Sequence, residues 1–188
     1  ALRSGNISVR HKNGFLITPS GKKYSSLKEK DIVFITLDGK FEKKYKPSSE
    51  WRFHQDIYIK KKDAQAIVHS HSTNATALSV HKKPIPAFHY MVALAGGNDI
   101  KCAKYATYGT RELSKNILKA LNNRKACLIA NHGQIAFDKN LPDAFELAQE
   151  VENLSLQYIT ALKLGKPKIL SINEMNKVLK KAKNYKRG

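Results

Sequence analysis

The sequence predicts an α/β sandwich with a mixed or antiparallel sheet, and three observations carry this prediction. Short runs of β-forming residues are interleaved with segments that have the apolar period of a helix. Two early runs, residues 14–18 and 31–37, are close enough in the chain to form local hairpins, and the second ends at the turn Asp38-Gly39. Hydrophobic residues make up 41% of the chain and charged residues 26%, which is typical of a globular protein.

The elements after these hairpins alternate between helix and strand. Ser48 or Ser49 can cap a helix that continues to about Lys62. Residues 64–71 form an apolar run that predicts a strand, and residues 73–80 have the pattern of a short helix.

The second half of the chain continues this βα rhythm. Residues 111–123 place their leucines and isoleucine on one helical stripe, and residues 126–130 are typical of a buried strand. Pro142 can occupy the first turn of a long helix that ends near Leu164. A serine and a glutamate with capping-box spacing open a last helix over residues 171–183.

The length of 188 residues predicts a single domain over residues 1–188, since no repeat or Pro/Gly/Ser-rich linker divides the chain. The chain begins without methionine and soon enters a turn at Ser4-Gly5-Asn6, so we expect an N-terminal segment to precede Ala1. No apolar run approaches the ~18 residues of a membrane span, and no signal-peptide pattern opens the chain. We therefore expect a cytoplasmic protein without a membrane partner.

The formal net charge of +19 is the one extreme value of the composition and points first to a polyanionic partner such as nucleic acid. Only six of the 34 basic residues are arginine, and no nucleic-acid-binding motif accompanies the lysines. A solvated, lysine-rich surface is the simpler interpretation, and we expect no nucleic-acid partner.

Three histidines form the candidate metal site. The two cysteines form no C-x-x-C pair, so a metal site has to use histidine and carboxylate ligands. His69 and His71 end an apolar strand, where residues two apart share a face and can reach one ion, although two such histidines can also simply lie at the edge of a core. His132 follows the next strongly apolar strand, and three imidazoles with one open position are typical of a catalytic zinc site.

Glu50 and its neighbours suggest an anion site with a carboxylate beside it. Glu50 follows Ser48-Ser49 at a predicted helix start, where free N–H groups bind anions, but it could equally be a first-turn glutamate that interacts with the helix dipole. His54 is one helical turn further on, and we interpret it as a polar partner of Glu50 on the same helix face. Ser4-Gly5-Asn6 and residues 18–21 add donors of the kind that bind phosphate, though such residues also form ordinary turns.

Several of these segments together resemble the class II aldolases of the fuculose phosphate aldolase and ribulose phosphate epimerase type, which share the adducin-like fold. The resemblance covers nearly the whole chain. It rests on the motifs SGNISVR (4–10), LITPSG (16–21), PSSEWRFH (47–54), VHSH (68–71), IPAFHYM (85–91), AGGN (95–98), YATYGTREL (105–113) and NHG (131–133).

The resemblance implies both a fold and a set of roles. The fold is a three-layer α/β/α sandwich with a mixed, largely antiparallel central sheet. Zinc is held by His69, His71 and His132, and Glu50 is the catalytic acid/base. Tyr90, contributed by a neighbouring subunit, and Tyr185, near the C terminus, act at the aldehyde. The substrate phosphate is held by Asn6, Ser20, Gly21, Ser48 and Ser49.

The implied reaction is the reversible cleavage of L-fuculose 1-phosphate to dihydroxyacetone phosphate and L-lactaldehyde, as in fucose degradation. The enzyme would be a homotetramer of four-fold symmetry with active sites between subunits. The related 4-epimerases carry aspartate where this chain has Glu50, so the glutamate favours an aldolase over an epimerase. A non-catalytic scaffold of the same fold is disfavoured because all three histidines are present. Tyr108, where the family usually has phenylalanine, leaves the preferred aldehyde open.

Overall fold

The computed structural model describes residues 4–44 and 46–185, and for residues 183–185 it describes the backbone alone. Its centre is a seven-stranded sheet with the order β3-β2-β1-β4-β9-β8-β7. Every neighbouring pair in this sheet is antiparallel except β7 and β8, which are parallel. Strands β5 and β6 form a separate antiparallel pair. The strands are β1 (Asn6–His11), β2 (Gly14–Ile17), β3 (Val33–Thr36), β4 (Ala66–Ser70), β5 (Ile85–Pro86), β6 (Asp99–Ile100), β7 (Cys102–Ala103), β8 (Ala126–Ile129) and β9 (Gly133–Asp138).

Within the described part of the chain, five α-helices cover the two faces of this sheet. Helices α1 and α3 pack on one face, and α2, α4 and α5 pack on the other. Their bounds are α1 (Trp51–Lys60), α2 (Thr73–Ser79), α3 (Arg111–Ala120), α4 (Leu141–Lys163) and α5 (Ile172–Tyr185). The chain is therefore a three-layer α/β/α sandwich with a mixed, largely antiparallel sheet, as predicted.

The central strands are apolar on both sides because each side meets a layer of helices. In β4, Ile67 packs toward α1 and α3, whereas Ala66 and Val68 pack toward α2 and α4. In β8, Cys127 and Leu128 divide between the two layers in the same way. Successive side chains of a strand point to opposite faces, so a run of consecutive apolar residues fills two cores at once.

Most of the predicted elements are confirmed, with ends that differ by a few residues. Pro142 lies in the first turn of α4, and Asn140 caps that helix by accepting a hydrogen bond from the N–H of Asp143. Ser171 Oγ accepts from the N–H of Glu174 at 3.1 Å, which is the predicted cap of α5. The short strands β5, β6 and β7 were not predicted. Strands β1 and β9 were not predicted either, and both lie beside β4 in the centre of the sheet.

Among the described residues, no helix has both the length and the apolar content that a bilayer crossing requires.

Candidate metal centre and active site

His69 lies near the end of β4, and the sheet fixes the orientation of its ring. Its Nδ1 donates to the backbone carbonyl of Gln134, in the neighbouring strand β9, at 2.7 Å. A neutral imidazole that donates from Nδ1 carries its lone pair on Nε2. The strand pairing therefore leaves Nε2 of His69 as an acceptor, and its nearest neighbour is Nε2 of His71 at 3.0 Å.

His132 reaches the same point from the tight connection between β8 and β9. Asn131 there adopts φ 54°, in the left-handed region that asparagine tolerates. Gly133 packs so closely against the end of β4 that a Cβ atom on it would lie 2.4 Å from the carbonyl oxygen of Ser70. Only glycine permits this approach, which brings the β8–β9 turn beside His71.

The three imidazole rings surround one point. The ring centroids of His69, His71 and His132 lie 4.7–4.9 Å apart, and each pair of rings is close to edge-on. The structure thus brings together the three histidines that the sequence analysis singled out.

Glu50 completes the cluster from the start of α1. Its Oε2 lies 3.3 Å from Nε2 of His69, and its Oε1 lies 3.2 Å from Nε2 of His132. Burial by itself raises the pKa of the Glu50 carboxyl, but the imidazoles of His132 and His69 outweigh burial and lower this pKa. Glu50 is therefore a carboxylate at neutral pH.

These four side chains fit a divalent metal ion. Their ligand atoms lie within 4.8 Å of one another. Burial, followed by the neighbouring His69 and His132, lowers the pKa of His71 to about 4, so this ring is a neutral ligand at pH 7. Oε1 of Glu50 is buried without a hydrogen bond from any described residue. A bound cation satisfies ring nitrogens and carboxylate oxygens that converge in this way, and three imidazoles with one carboxylate supply the four ligands of a tetrahedral site.

A cavity of about 340 Å³ opens beside this cluster. The backbone brings its walls together, because Ser48 N–H donates to the Thr18 carbonyl at 3.1 Å and Ser20 N–H to the Lys46 carbonyl at 3.0 Å. All five residues predicted to hold phosphate line the cavity, together with Glu50, His71 and His132: they are Asn6, Ser20, Gly21, Ser48 and Ser49. Tyr105 and Tyr108, both largely exposed, form part of its mouth.

The structure describes the side chain of only one of the two predicted catalytic tyrosines. Tyr90 is 55% exposed and is absent from the described residues that line the cavity. Tyr185 ends helix α5, and its side chain lies outside the described part of the chain.

Three further polar residues belong to the site and were not predicted to do so. Our interpretation of His54 as a helix-side partner of Glu50 is wrong, because His54 is fully buried and reaches Glu50 only through Asn6. Ser8 and Tyr58 continue the chain of contacts behind His54. The alternation of polar Asn6 and Ser8 with apolar Ile7 and Val9 was the available signal for a strand with a polar face.

Comparison with known proteins agrees with this geometry. The sequence profile of the family described as "Class II Aldolase and Adducin N-terminal domain" matches residues 1–159. A 5-methylthioribulose-1-phosphate/5-deoxyribulose-1-phosphate aldolase of Rhodospirillum rubrum is 52% identical over 182 residues, covering 97% of this chain and 82% of the relative. An L-fuculose phosphate aldolase of Escherichia coli O6:H1 is also 52% identical, covering 97% of this chain and 85% of the relative.

The fold has a close match among solved structures. An L-fuculose 1-phosphate aldolase superimposes with a TM-score of 0.93 at 43% sequence identity, covering 97% of this chain and 87% of that protein. A putative aldolase/epimerase/decarboxylase from Escherichia coli superimposes with a TM-score of 0.84 at 25% identity.

Proposed function

The chain belongs to the class II aldolase and adducin family and is an aldolase, and from this premise we propose that it is a zinc enzyme that cleaves a ketose 1-phosphate to dihydroxyacetone phosphate and an aldehyde. The observation that carries the proposal is the convergence of three imidazoles and an ionised glutamate at one wall of a polar cavity. A non-catalytic scaffold of this family has no need of such a cluster of converging acceptor atoms.

His69, His71 and His132 would hold the zinc ion, and Glu50 can complete the set before substrate binds. When bound, zinc would supply Lewis-acid polarisation of the substrate oxygens. The other His, Cys, Asp and Glu side chains form no comparable group among the described residues.

Glu50 would transfer the proton to and from the reacting carbon of the substrate. In the direction of synthesis, its carboxylate takes a proton from the hydroxymethyl carbon of dihydroxyacetone phosphate, and that carbon then bonds to the aldehyde carbon. Tyr90 of a neighbouring subunit gives a proton to the aldehyde oxygen, and cleavage runs through the same transfers in reverse. Tyr185 would close over the aldehyde.

Ser20, Gly21, Ser48 and Ser49 would hold the phosphate through hydroxyl and backbone N–H groups near the start of α1. Asn6 would lie between the substrate phosphate and Glu50. One N–H of its amide donates to Oε2 of Glu50 at 3.0 Å, and the amide has a second N–H for the substrate.

Two substrates deserve to be tested first, because the relatives named for them are equally similar to this chain. L-Fuculose 1-phosphate would yield L-lactaldehyde, which would place the enzyme in fucose degradation. 5-Deoxyribulose 1-phosphate, from which the same bond cleavage releases acetaldehyde, is the second candidate. The two aldehydes differ by one hydroxymethylene group, and Tyr108 at the cavity mouth offers a hydroxyl that can contact the larger product.

The assembly we propose is a homotetramer with active sites between subunits. The cavity of one chain is lined by Glu50, His71 and His132 but, among the described residues, not by Tyr90, whose side chain is exposed elsewhere on the same chain.

Release of dihydroxyacetone phosphate from each ketose 1-phosphate tests the proposal. We expect release that a chelator abolishes and that zinc restores, with a higher kcat/KM for one of the two substrates. If zinc-loaded protein releases no dihydroxyacetone phosphate from either substrate, both proposed substrates are wrong. The epimerase reaction is then the next assay.

A further inference from the structure

A chain of buried hydrogen bonds runs from Glu50 into the interior of the protein. Asn6 Nδ2 lies 3.0 Å from Glu50 Oε2, and Asn6 Oδ1 lies 2.5 Å from His54 Nε2. His54 Nδ1 lies 2.7 Å from Ser8 Oγ, which in turn lies 2.8 Å from the hydroxyl of Tyr58. Ser8, His54 and Tyr58 are each at most 1% exposed, so bulk water does not reach these groups.

The chemistry of each group fixes the direction of every bond in this chain. An ionised carboxylate only accepts, so the amide of Asn6 turns its NH2 group to Glu50 and its oxygen to His54. His54 Nε2 therefore carries the hydrogen. In a neutral ring Nδ1 then accepts from the hydroxyl of Ser8, and Ser8 accepts from Tyr58. All four bonds point toward Glu50.

The neutral state of His54 follows from its surroundings. Burial, followed by the nearby His69, lowers the pKa of His54 to about 3. The ring therefore has one donor and one acceptor nitrogen at any pH near neutrality, and only one of the two tautomers satisfies both Asn6 and Ser8.

We propose that Ser8, His54 and Tyr58 are positioning residues that hold the amide of Asn6, and through it the carboxylate of Glu50, in the orientation that proton transfer requires. This inference rests on the proposed function for the role of Glu50. Hydrogen bonds in a row polarise one another, and a buried donor without its acceptor is costly, so loss of one link is expected to disturb the orientation of the next.

The tautomer of His54 is the first test, because it does not depend on activity. In protein with ¹⁵N-labelled histidine, the signals of His54 are those that disappear in the H54Q variant. We expect Nε2 to be protonated and Nδ1 to be unprotonated from pH 5 to 8. A proton on Nδ1, or titration of the ring in this range, would show that the chain of hydrogen bonds has another direction and would overturn the proposal.

Kinetics of the zinc-loaded protein are the second test. Ser8→Ala removes the donor to His54, and we expect kcat to fall by at least about fivefold while KM changes by less than about twofold, since the proposed phosphate-binding residues other than Asn6 lie outside this chain of hydrogen bonds. His54→Leu removes the donor to Asn6 and is expected to lower kcat further. His54→Gln keeps an N–H at that position and should recover part of the loss, which a purely structural role would not predict.

Ser114→Ala is the matched control. Ser114 is as buried as Ser8, and its hydroxyl donates to a carboxylate oxygen of Asp56 at 2.5 Å on the far side of α1. Both variants remove the hydroxyl of a buried serine, but only Ser8→Ala breaks the chain to Glu50. Zinc content and the midpoint of unfolding are measured for both variants.

The outcomes separate this proposal from the proposed function. A native enzyme without aldolase activity would count against the proposed function, and the ¹⁵N result would still decide the direction of the hydrogen bonds. An active native enzyme in which Ser8→Ala and Ser114→Ala lower kcat equally would overturn the positioning role alone.

Discussion

His71 is the most exposed of the three imidazoles that face Glu50. Replacing it can therefore remove a metal ligand without disturbing the folded core. His69 is 2% exposed and its ring bonds to the sheet, whereas the His71 ring follows the last residue of β4. We expect His71→Ala to weaken zinc affinity by more than about 100-fold, since even partners that only orient a ligand are worth about 10- to 100-fold.

The zinc content of the purified variant, measured by elemental analysis, and its circular dichroism spectrum check this expectation. His81→Ala is the control, because His81 is an exposed histidine outside the cluster. Full zinc occupancy in the His71 variant would contradict the ligand set.

His54 also gives the protein a specific dependence of stability on pH. Its pKa of about 3 in the folded state lies below the ordinary histidine value of 6.5, so between these values the unfolded chain binds a proton that the folded chain does not. Stability is therefore expected to fall as the pH is lowered from 6.5 toward 3, by up to about 1.4 kcal/mol per pH unit from this residue.

Urea unfolding of metal-free protein at fixed concentration, at several pH values between 7 and 4.5, measures this effect. The native protein should lose stability more steeply with falling pH than His54→Gln does. Equal slopes would mean that His54 does not remain neutral in the folded state.

The individual site residues were predictable from the sequence to different degrees. His69, His71 and Glu50 stood at predicted element ends, where strand period and helix start already suggested chemistry. The link through Asn6 was not predictable, because it depends on strand β1 lying against β4 with Asn6 opposite His69. Pairing between strands some 60 residues apart depends on the tertiary structure and cannot be predicted from local sequence patterns.

At the scale of elements, the start of α2 depends on a residue of another helix. One carboxylate of Glu152, in α4, accepts hydrogen bonds from the backbone N–H groups of Asn74 and Ala75, both at 2.8 Å, and from the Asn74 side chain. Because α2 begins two residues after His71, this cap also stabilises the backbone that leaves the metal centre.

Replacing Glu152 by glutamine keeps the shape but places an amide NH2 group against backbone donors. We expect a loss of about 1.5–3 kcal/mol in the free energy of unfolding, the usual range for hydrogen bonds to a charged acceptor. Denaturant unfolding of this variant is compared with Glu146→Gln, an exposed glutamate of the same helix. Equal stability of the two variants would show that the cap contributes little.

Strand β9 was not predicted because its sequence mixes apolar and polar residues without a regular alternation. Strand β9 (Gly133–Asp138) is buried along its whole length but contains glycine, glutamine and aspartate. The side-chain NH2 group of Gln134 donates to Ser72 Oγ and to the Ala148 carbonyl, so this donor group has partners inside the core. Helices α3 and α4, by contrast, show their apolar stripe and caps in the sequence and were predicted within three residues at each end.

At the scale of the whole molecule, the site lies at one end of the central sheet. Each face of this sheet carries one of the two hydrophobic cores. The ligands come from the end of β4 and the β8–β9 turn, and Glu50 comes from the start of α1. The exposed Tyr90 follows the short strand β5, outside the seven-stranded sheet. One chain therefore presents the candidate metal ligands and a candidate catalytic tyrosine on separate parts of its surface. This is expected if the two groups serve different active sites of the proposed tetramer.

Subunit mixing tests this arrangement. Tyr90→Phe should reduce activity by about 100-fold or more if its hydroxyl transfers a proton, and His71→Ala should remove activity with the metal. In a tetramer reassembled from equal amounts of the two variants, a site can combine the intact metal ligands of a Tyr90→Phe chain with the intact Tyr90 of a His71→Ala neighbour. Random assembly should give about one quarter of the native activity, because half of the chains have intact ligands and half of their neighbours have Tyr90.

The same mixture without dissociation and reassembly is the control, and it should stay as inactive as the separate variants. If Tyr90 acted within its own chain, no subunit in either mixture would contain both intact groups, and reassembly would restore nothing. Recovered activity therefore requires that the site be shared between subunits, and the fraction recovered shows whether each site takes its tyrosine from one neighbour.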